Sequence, residues 1–264
     1  MARTGETMQI INAPPWHSGL GDAGKSLEWL PTDSKENYEK LMQDTVHQEY
    51  FARMGWDQPG AITYNINSDG FRSQEFDTLD NCMIALGCSY TMGIGLPIDA
   101  VWSSLVGQQL NLDVANLAWG GNSADTCFRL AKYWIPILKP QLVAMLAPFP
   151  ARLELLVDYS ADSTLTTAEI FTPGARPMLS DGYQNEFLKH WFLIEENQQI
   201  NQVKNCLAIQ QLCHVHNIPC VIEHAADYMQ VDRNKIGYAR DYMHGGPIAH
   251  KRIADKILND CTQK

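Results

Sequence analysis

Short apolar runs that alternate with amphipathic segments predict an ordered series of strands and helices. Four apolar runs of five residues, bounded by glycine, proline or polar residues, lie at positions 82–86, 114–118, 142–146 and 219–223. Such continuous runs are typical of strands that are buried on both faces of a parallel sheet. An earlier β-like segment, residues 61–66, is followed by the turn sequence NSDG.

Helices are predicted in the segments between these strands. They run from a cap at Thr32 or Asp33 to about residue 54, over residues 102–110, from a cap at Asn122 or Ser123 to residue 138, over residues 186–216, and from Pro247 to about residue 258. The segments 151–185 and 225–246 are predicted to be irregular.

Strands and helices that alternate at this spacing predict the α/β class, as a three-layer α/β/α sandwich with a mainly parallel central sheet. Residues 1–60 are expected to form an N-terminal arm and a helix packed on the core. Residues 61–264 are expected to form a single α/β domain, with an insertion at 151–185.

Composition narrows the classes of function. At 45% hydrophobic and 19% charged residues, the 264-residue chain can bury a sizeable core. Its 20 basic and 30 acidic residues leave a net charge of -10, which argues against sequence-independent nucleic-acid binding and does not favour anionic membrane surfaces. Because neither a membrane helix nor a secretory signal is recognisable, a cytoplasmic protein is expected. Seven cysteines, an odd number, fit a reducing compartment.

Residues with catalytic potential follow three of the predicted strands. Ser89 lies in the sequence GCSY, Gly120 and Gly121 follow the second strand, and Asp241 precedes His244 by three positions after the fourth. Each feature alone also fits a helix cap, a tight turn or a surface loop. Ligands of open α/β sheets bind at the carboxyl ends of the strands, so these residues are expected to meet. A serine, a carboxylate-held histidine and a glycine turn that exposes N–H groups are typical of nucleophilic acyl transfer.

With these motifs the chain resembles the SGNH hydrolases, also called the GDSL esterase/lipase family, over about residues 82–258. GCSY at 87–90 resembles the first motif of that family, NLAWGGNS at 116–123 the second, and DYMH at 241–244 the last. The segment ARDYMHGGPIAHKRIADKI at 239–257 is the most specific match. The resemblance implies that Ser89 is the nucleophile and His244 the base, and that Asp241 orients the imidazole. It also implies that the N–H groups of Ser89 and Gly121 bind the oxyanion.

One motif departs from the family pattern. The third motif of the family is G-x-N-D, and its asparagine side chain donates to the oxyanion. This chain has LAPFP at 146–150 instead, with Phe149 at the asparagine position. Asn122 and Arg152 are candidates to supply the missing donor. Loss of one oxyanion donor costs about 10²–10³ in rate in other enzymes.

Further candidates concern the substrate pocket. Trp119, Phe149, Arg152 and, more weakly, Arg72 are expected to contact substrate, although a core position for Trp119 and a surface salt bridge for Arg72 fit the sequence equally well. Ser103 and Ser104 lack the flanking glycine turn of Ser89. The cysteines and histidines at 206–224 contain no C-x-x-C pair, so they are interpreted as structural and no metal site is predicted.

The sequence therefore predicts a serine esterase of the SGNH type, which hydrolyses an acyl ester, such as an O-acetyl ester, through an acyl-serine intermediate. One alternative is an acyltransferase built on the same site. Another is a catalytically degenerate member that binds glycans or has a structural role, which the absent asparagine favours. The expected partner is a small-molecule or carbohydrate ester, without cofactor, metal, nucleic acid or membrane, and the oligomeric state stays open.

Overall fold

A four-stranded parallel sheet forms the centre of the fold, in a computed structural model that describes residues 21–157, 167–171, 190–191, 194–229 and 237–262. The strands are, in chain order, β1 (Ser26–Leu27), β2 (Tyr64–Asn65), β3 (Cys82–Leu86), β4 (Asp113–Asn116), β5 (Leu142–Ala147), β6 (Leu153–Val157), β7 (Thr167–Phe171) and β8 (Cys220–His224). The central sheet has the order β4-β3-β5-β8, and every neighbouring pair in it is parallel. All residues of β3 and β5 are buried, as their continuous apolar runs predict.

Helices separate the strands of this sheet along the chain. The α-helices whose bounds are described are α1 (Lys35–Leu41), α2 (Thr45–Met54), α3 (Ser89–Met92), α4 (Trp102–Leu110), α5 (Ala124–Leu138), α6 (Glu195–Val215), α7 (Ala225–Met229) and α8 (Pro247–Thr262). The start of α5 follows from its sequence, because the Ser123 side chain accepts a hydrogen bond from the Thr126 N–H in a capping box.

Alternate residues of β3 face opposite layers of helices. Met83 and Ala85 pack in the core that also contains residues of α4 and α8, whereas Ile84 and Leu86 pack with α5 and α6. Since side chains of a strand alternate between its two faces, a strand that is apolar throughout needs a helical layer on each side. The predicted three-layer α/β/α sandwich with a parallel central sheet is thereby confirmed.

The first predicted helix is wrong in its cap and its continuity. Ser34, not Thr32 or Asp33, accepts the hydrogen bond from the Asn37 N–H that caps α1. The chain then breaks before α2, because the side chain of Asp44 accepts from the Val46 N–H and starts a new helix. Asp33 is instead buried in an ion pair. In the same core as Met83 lie apolar side chains of this N-terminal segment, namely Leu30, Tyr38, Phe51 and Trp56.

The predicted irregular segments also contain regular structure. β6 and β7 form an antiparallel pair inside the 151–185 insertion, and α7 lies at the start of the predicted loop 225–246. The predicted strand at 61–66 shortens to β2, which pairs with β1. The first 20 residues of the predicted arm and most of the insertion, 158–166 and 172–185, lie outside the described residues, as does the start of the helix predicted at 186–216. None of the helices described here is long and apolar enough to cross a bilayer.

Candidate active site

Ser89 stands where β3 ends and the chain turns sharply into α3. Gly87, just after β3, has a φ of 156°. A Cβ atom at this position would lie 2.0 Å from Thr91 Oγ1 and 2.9 Å from the backbone oxygen of Leu146. Only glycine fits this turn, and the turn sets Ser89 at the carboxyl end of the central strand. Ser89 is 8% exposed, and the only hydrogen-bond contact of its hydroxyl among the described residues is a weak one to Cys88 Sγ at 4.0 Å.

Replacement of Gly87 by alanine is expected to lower the free energy of unfolding by about 2–6 kcal/mol, as the sum of overpacking and backbone strain. Gly121→Ala is the matched control, because Gly121 has a φ of 90° and a Cβ there meets nothing within 4 Å. The control is expected to show the strain alone, about 1–3 kcal/mol. Urea denaturation measures both values. Equal losses in the two variants would contradict the close packing at Gly87.

Asp241 and His244 form a hydrogen-bonded pair within one turn. His244 Nδ1 lies 2.5 Å from Asp241 Oδ2. The other carboxylate oxygen, Oδ1, accepts the backbone N–H groups of Met243 and His244, each at 3.0 Å. Tyr242, between them, has a φ of 56°, and its N–H donates to the Ala239 carbonyl. The D-x-x-H spacing therefore closes a turn in which the acid orients the imidazole.

The protonation of this pair follows from its hydrogen bonds. Burial alone would raise the pKa of the Asp241 carboxyl, but the hydrogen bond and charge of His244, with the two backbone N–H groups, lower it below its ordinary value. An ionised carboxylate only accepts hydrogen bonds, so His244 Nδ1 carries the proton that faces it. The other ring nitrogen, Nε2, is then the one that can take a proton from a hydroxyl.

The segment of Ser89 and the turn of Asp241 and His244 are in contact through Tyr90. The Tyr90 ring, next in the chain to Ser89, lies 5.1 Å from the His244 ring, centroid to centroid. A Cβ atom at Gly245 would approach Tyr90 to 3.3 Å. No hydrogen bond joins Ser89 Oγ to His244, both of which are described, although unliganded sites commonly lack this bond until substrate binds.

Two backbone N–H groups are available beside these side chains. The N–H of Ser89, the first residue of α3, and that of Gly121 have no hydrogen-bond partner among the described residues. The neighbouring Asn122 N–H, in contrast, donates to the Trp119 carbonyl at 3.2 Å. Unpartnered N–H groups on two adjoining loops are suited to bind a developing negative charge.

Asn122 links the two loops that carry these groups. Its Nδ2 donates to the Gly87 carbonyl at 3.2 Å, and its Oδ1 is buried without a partner among the described residues. One of its two amide hydrogens is used on the Gly87 carbonyl, and the other has no acceptor among the described residues. Its role as an oxyanion donor therefore stays a prediction. Arg152 is connected to the same loop, because its Nη1 donates to the Asn122 carbonyl at 3.0 Å.

Three of the predicted substrate contacts lie around this loop. The Arg152 guanidinium carbon lies 5.7 Å from the centre of the Phe149 ring, and both residues are half-buried. The Nε and Nη2 groups of Arg152 have no hydrogen-bond partner among the described residues. Trp119 is half-buried and packs against the core beneath. Phe149 and Arg152 therefore come together at the position of the absent asparagine.

Arg72 belongs to the core, which corrects its predicted place in the substrate pocket. It is 2% exposed, and its Nη1 and Nη2 donate to four carbonyl oxygens, those of Thr63, Met92, Gly93 and Leu96. Burial is the main cause that lowers its pKa to about 10. Four carbonyls occupy its terminal nitrogens, so Arg72 supports the backbone that follows α3.

One described cavity does not include the residues of the candidate site. A groove of about 1180 Å³ runs along the β4 edge of the sheet and is lined by Arg72, Ser103, Ser104, Asn111 and Asp113 among others. Ser89, Asp241 and His244 do not line it. The described residues contain no group of three or more His, Cys, Asp or Glu side chains that could hold a metal ion.

Two buried polar residues, Asn116 and His250, support the elements that carry the candidate site. Asn116 Nδ2 donates to the Thr91 carbonyl at 2.7 Å and thereby links the end of β4 to α3. His250 is buried, and its Nδ1 accepts the Trp102 N–H at 3.1 Å. Burial, with the charges of His244 and Arg72, lowers the His250 pKa to about 3, so it stays neutral. The only sequence signal for such residues is a polar position inside an apolar segment.

Comparison with known proteins gives similarity of structure alone. No family model matches this chain, and no curated protein does. Similar solved structures include a member of the lipolytic protein G-D-S-L family from Veillonella parvula, with 11% identity, a TM-score of 0.37 and coverage of 70% of this chain and 100% of that chain. A psychrotrophic esterase from Pseudoalteromonas sp. inhibited by monoethylphosphonate has 13% identity, a TM-score of 0.36 and coverage of 70% of this chain and 98% of that chain. The lipase/acylhydrolase from Enterococcus faecalis has 14% identity, a TM-score of 0.36 and coverage of 70% of this chain and 96% of that chain. The Veillonella parvula protein is a member of the family that the sequence motifs resemble. At these identities the similarity concerns the fold and transfers no residue's role.

Proposed function

We propose that this chain hydrolyses carboxylic esters by acyl transfer through Ser89. The observation that carries the proposal is the His244–Asp241 pair, whose imidazole ring packs against Tyr90, the residue that follows Ser89. His244 Nδ1 is bonded to the Asp241 carboxylate, which leaves Nε2 to act as the base. The N–H groups of Ser89, at the start of α3, and of Gly121 have no hydrogen-bond partner in the described part of the chain. Nucleophile, base, orienting acid and oxyanion donors are the parts that acyl transfer needs.

Acylation begins when Ser89 Oγ attacks the ester carbonyl carbon. A carbon–oxygen bond forms while the hydroxyl proton passes to His244 Nε2. The carbonyl oxygen becomes an oxyanion, which accepts hydrogen bonds from the Ser89 and Gly121 N–H groups. The ester carbon–oxygen bond then breaks, and the leaving alcohol takes the proton from His244.

Deacylation repeats these steps with water. His244 Nε2 removes a proton from water as the water oxygen attacks the acyl-serine carbonyl. The bond to Ser89 Oγ breaks, the proton returns to Oγ, and the carboxylic acid leaves. Asp241 stays ionised throughout and stabilises the imidazolium that forms in each half of the reaction.

Arg152 is the residue that we assign to the role of the absent asparagine. Its Nε and Nη2 groups, which have no hydrogen-bond partner among the described residues, carry positive charge next to the loop of Gly121 and Asn122. A guanidinium there stabilises negative charge on the carbonyl oxygen or on an anionic part of the substrate. Phe149 packs beside it and contributes apolar contact area.

Labelling with a fluorophosphonate tests the proposal directly. The probe is expected to phosphonylate Ser89 Oγ with loss of fluoride, and intact mass with peptide mapping is expected to show one adduct on the peptide that contains Ser89. The adduct is expected to be absent in His244→Ala and retained in Ser104→Ala, whose serine lines the distant groove. A folded wild-type protein that gains no adduct would favour a degenerate binding protein instead.

A panel of p-nitrophenyl acyl esters then separates hydrolysis from acyl transfer. Hydrolysis predicts release of free carboxylic acid at a rate that added alcohols leave unchanged. Transfer of the acyl group mainly to an added alcohol or sugar would identify an acyltransferase on the same site.

A further inference from the structure

Side chains from the segment before β3 hold the turn that carries Asp241 and His244. We propose that Asp33, Arg240 and Asn37 are positioning residues for the Asp241 carboxylate: they fix the peptide on each side of it. The inference rests on the proposed function, because it concerns the acid of the same site. It assigns to the N-terminal segment a part in catalysis that the motifs of the site do not contain.

Arg240, directly before Asp241, is anchored by a buried ion pair. Arg240 is 0% exposed and Asp33 is 1% exposed. The guanidinium binds both carboxylate oxygens, with 2.7 Å between Nη2 and Oδ2 and 2.9 Å between Nε and Oδ1. Its remaining contacts are the carbonyl oxygens of Pro59 at 2.8 Å and Glu28 at 3.0 Å. The guanidinium therefore joins three separate points of the N-terminal segment to the catalytic turn.

The ion pair belongs to a closed ring of hydrogen bonds. The Tyr64 hydroxyl donates to Asp33 Oδ2 and accepts the Gly95 N–H at 2.9 Å. The Gly95 carbonyl in turn accepts the Arg240 N–H, also at 2.9 Å. The Trp29 ring lies 4.5 Å from the Arg240 guanidinium carbon and covers one of its faces. Side chain and backbone of Arg240 are thus both fixed before the chain reaches Asp241.

Asn37 holds the other side of the catalytic acid. Its Nδ2 donates to the Asp241 backbone carbonyl at 3.1 Å and to the Thr32 carbonyl at 3.2 Å. Asn37 lies in the first turn of α1, whose cap is Ser34. The start of this helix is thereby tied to the peptide that follows the Asp241 side chain.

The turn needs external support because its own backbone is strained. Tyr242 has a φ of 56°, which is unfavourable for a bulky residue. Its ring packs edge-on against side chains of α2, with 4.4 Å to the His47 centroid and 5.8 Å to the Phe51 centroid. Desolvation makes a buried ion pair costly, so such a pair is weak evidence for a role in stability alone. Because the Asp33–Arg240 pair lies directly before Asp241, we infer that it fixes the position of the Asp241 carboxylate. Displacement of a catalytic group by about 1 Å costs roughly 10² in rate.

The test reads the His244–Asp241 hydrogen bond directly. In wild-type protein the proton between Nδ1 and Oδ2 is expected to give a far-downfield ¹H NMR resonance, which is assigned by its loss in Asp241→Ala. In Asn37→Ala and Asp33→Asn the resonance is expected to broaden or shift upfield. With p-nitrophenyl acetate as the probe, kcat is expected to fall about 10²-fold while KM stays unchanged.

A control variant separates positioning from stability. Glu154→Gln breaks another buried bidentate pair, with Arg129, at 2.7 and 2.8 Å. This variant is expected to lower thermal stability and to keep the resonance and kcat. If the Asp33→Asn protein fails to fold, the resonance and kcat of the Asn37→Ala protein decide the test.

An unchanged resonance and kcat in a folded Asn37→Ala protein would overturn the inference. So would equal losses of kcat in the test and control variants, because these would trace to stability. Absence of fluorophosphonate labelling in wild-type protein would instead overturn the proposed function, while the resonance would still report the Asp241 geometry.

Discussion

Ser89→Ala is expected to lower kcat for p-nitrophenyl acetate by about 10⁶-fold, because the attacking oxygen is lost. The fold is expected to survive, since the only hydrogen-bond contact of the hydroxyl among the described residues is the weak one to Cys88 Sγ. The change in unfolding free energy is therefore expected to stay within about 1 kcal/mol. Steady-state hydrolysis and urea denaturation measure the two quantities.

Combining this change with His244→Ala tests whether the two residues act as one unit. A base without its nucleophile has nothing to deprotonate, so the double variant is expected to be no slower than either single variant. Ser104→Ala, at a serine outside the site, is expected to leave the rate unchanged. A double variant whose loss of kcat equals the product of the two single losses would show that the two residues act independently. A Ser89→Ala protein with the kcat of wild type would show that the reaction takes another route.

Asp241→Asn is expected to lower kcat by about 10⁴-fold with little change in KM. The two backbone N–H groups of Met243 and His244 need an acceptor at the Oδ1 position, so the amide oxygen must occupy it. The amide nitrogen then faces His244 Nδ1 and donates to it. This moves the imidazole proton to Nε2, which can no longer accept the proton of Ser89.

The pH dependence of stability provides a second readout for the same variant. Because its folded-state pKa is lowered, the Asp241 carboxylate stabilises wild-type protein above its ordinary pKa of 3.8, and this contribution is lost as pH falls through the lower folded value. The stability difference between wild type and variant is therefore expected to shrink as pH falls below 3.8. A difference that is constant across this range would mean that the carboxylate is not held as described.

Local signals made several elements predictable. The bounds of β3, the end of α5 and the Ser123 cap of α5 coincide with their predictions, since a glycine, a proline or a capping serine acts on its immediate neighbours. The Asp241–His244 pair belongs to the same class, because three residues of spacing allow one carboxylate to bind both the ring and the turn. Order along the parallel strands then brings this turn to the edge that holds Ser89.

Other elements were not predicted because two local preferences, or a local preference and a strand pairing, compete for the same residues. The helix predicted up to residue 54 contains continuous apolar periodicity, yet Asp44 caps a second helix inside it. The 151–185 insertion is rich in turn residues, which predict an irregular segment. It nevertheless contains β6 and β7, because these two strands form backbone hydrogen bonds with each other. The β6–β7 pairing forms only in the folded chain and prevails over a weak local preference, whereas the Asp44 cap is a local hydrogen bond that interrupts the apolar periodicity.

The sequence by itself determined the layered fold, the glycine turn before Ser89 and the spacing of the Asp241–His244 pair, because each depends on residues within a few positions. Only the tertiary structure decided the partners of the buried charges. Arg72 looked available for substrate and is surrounded by carbonyls, and Asp33 looked like a helix cap and binds Arg240, 207 residues away. A buried charge must find its counterpart wherever the fold brings one within hydrogen-bond distance, and no local pattern encodes that distance.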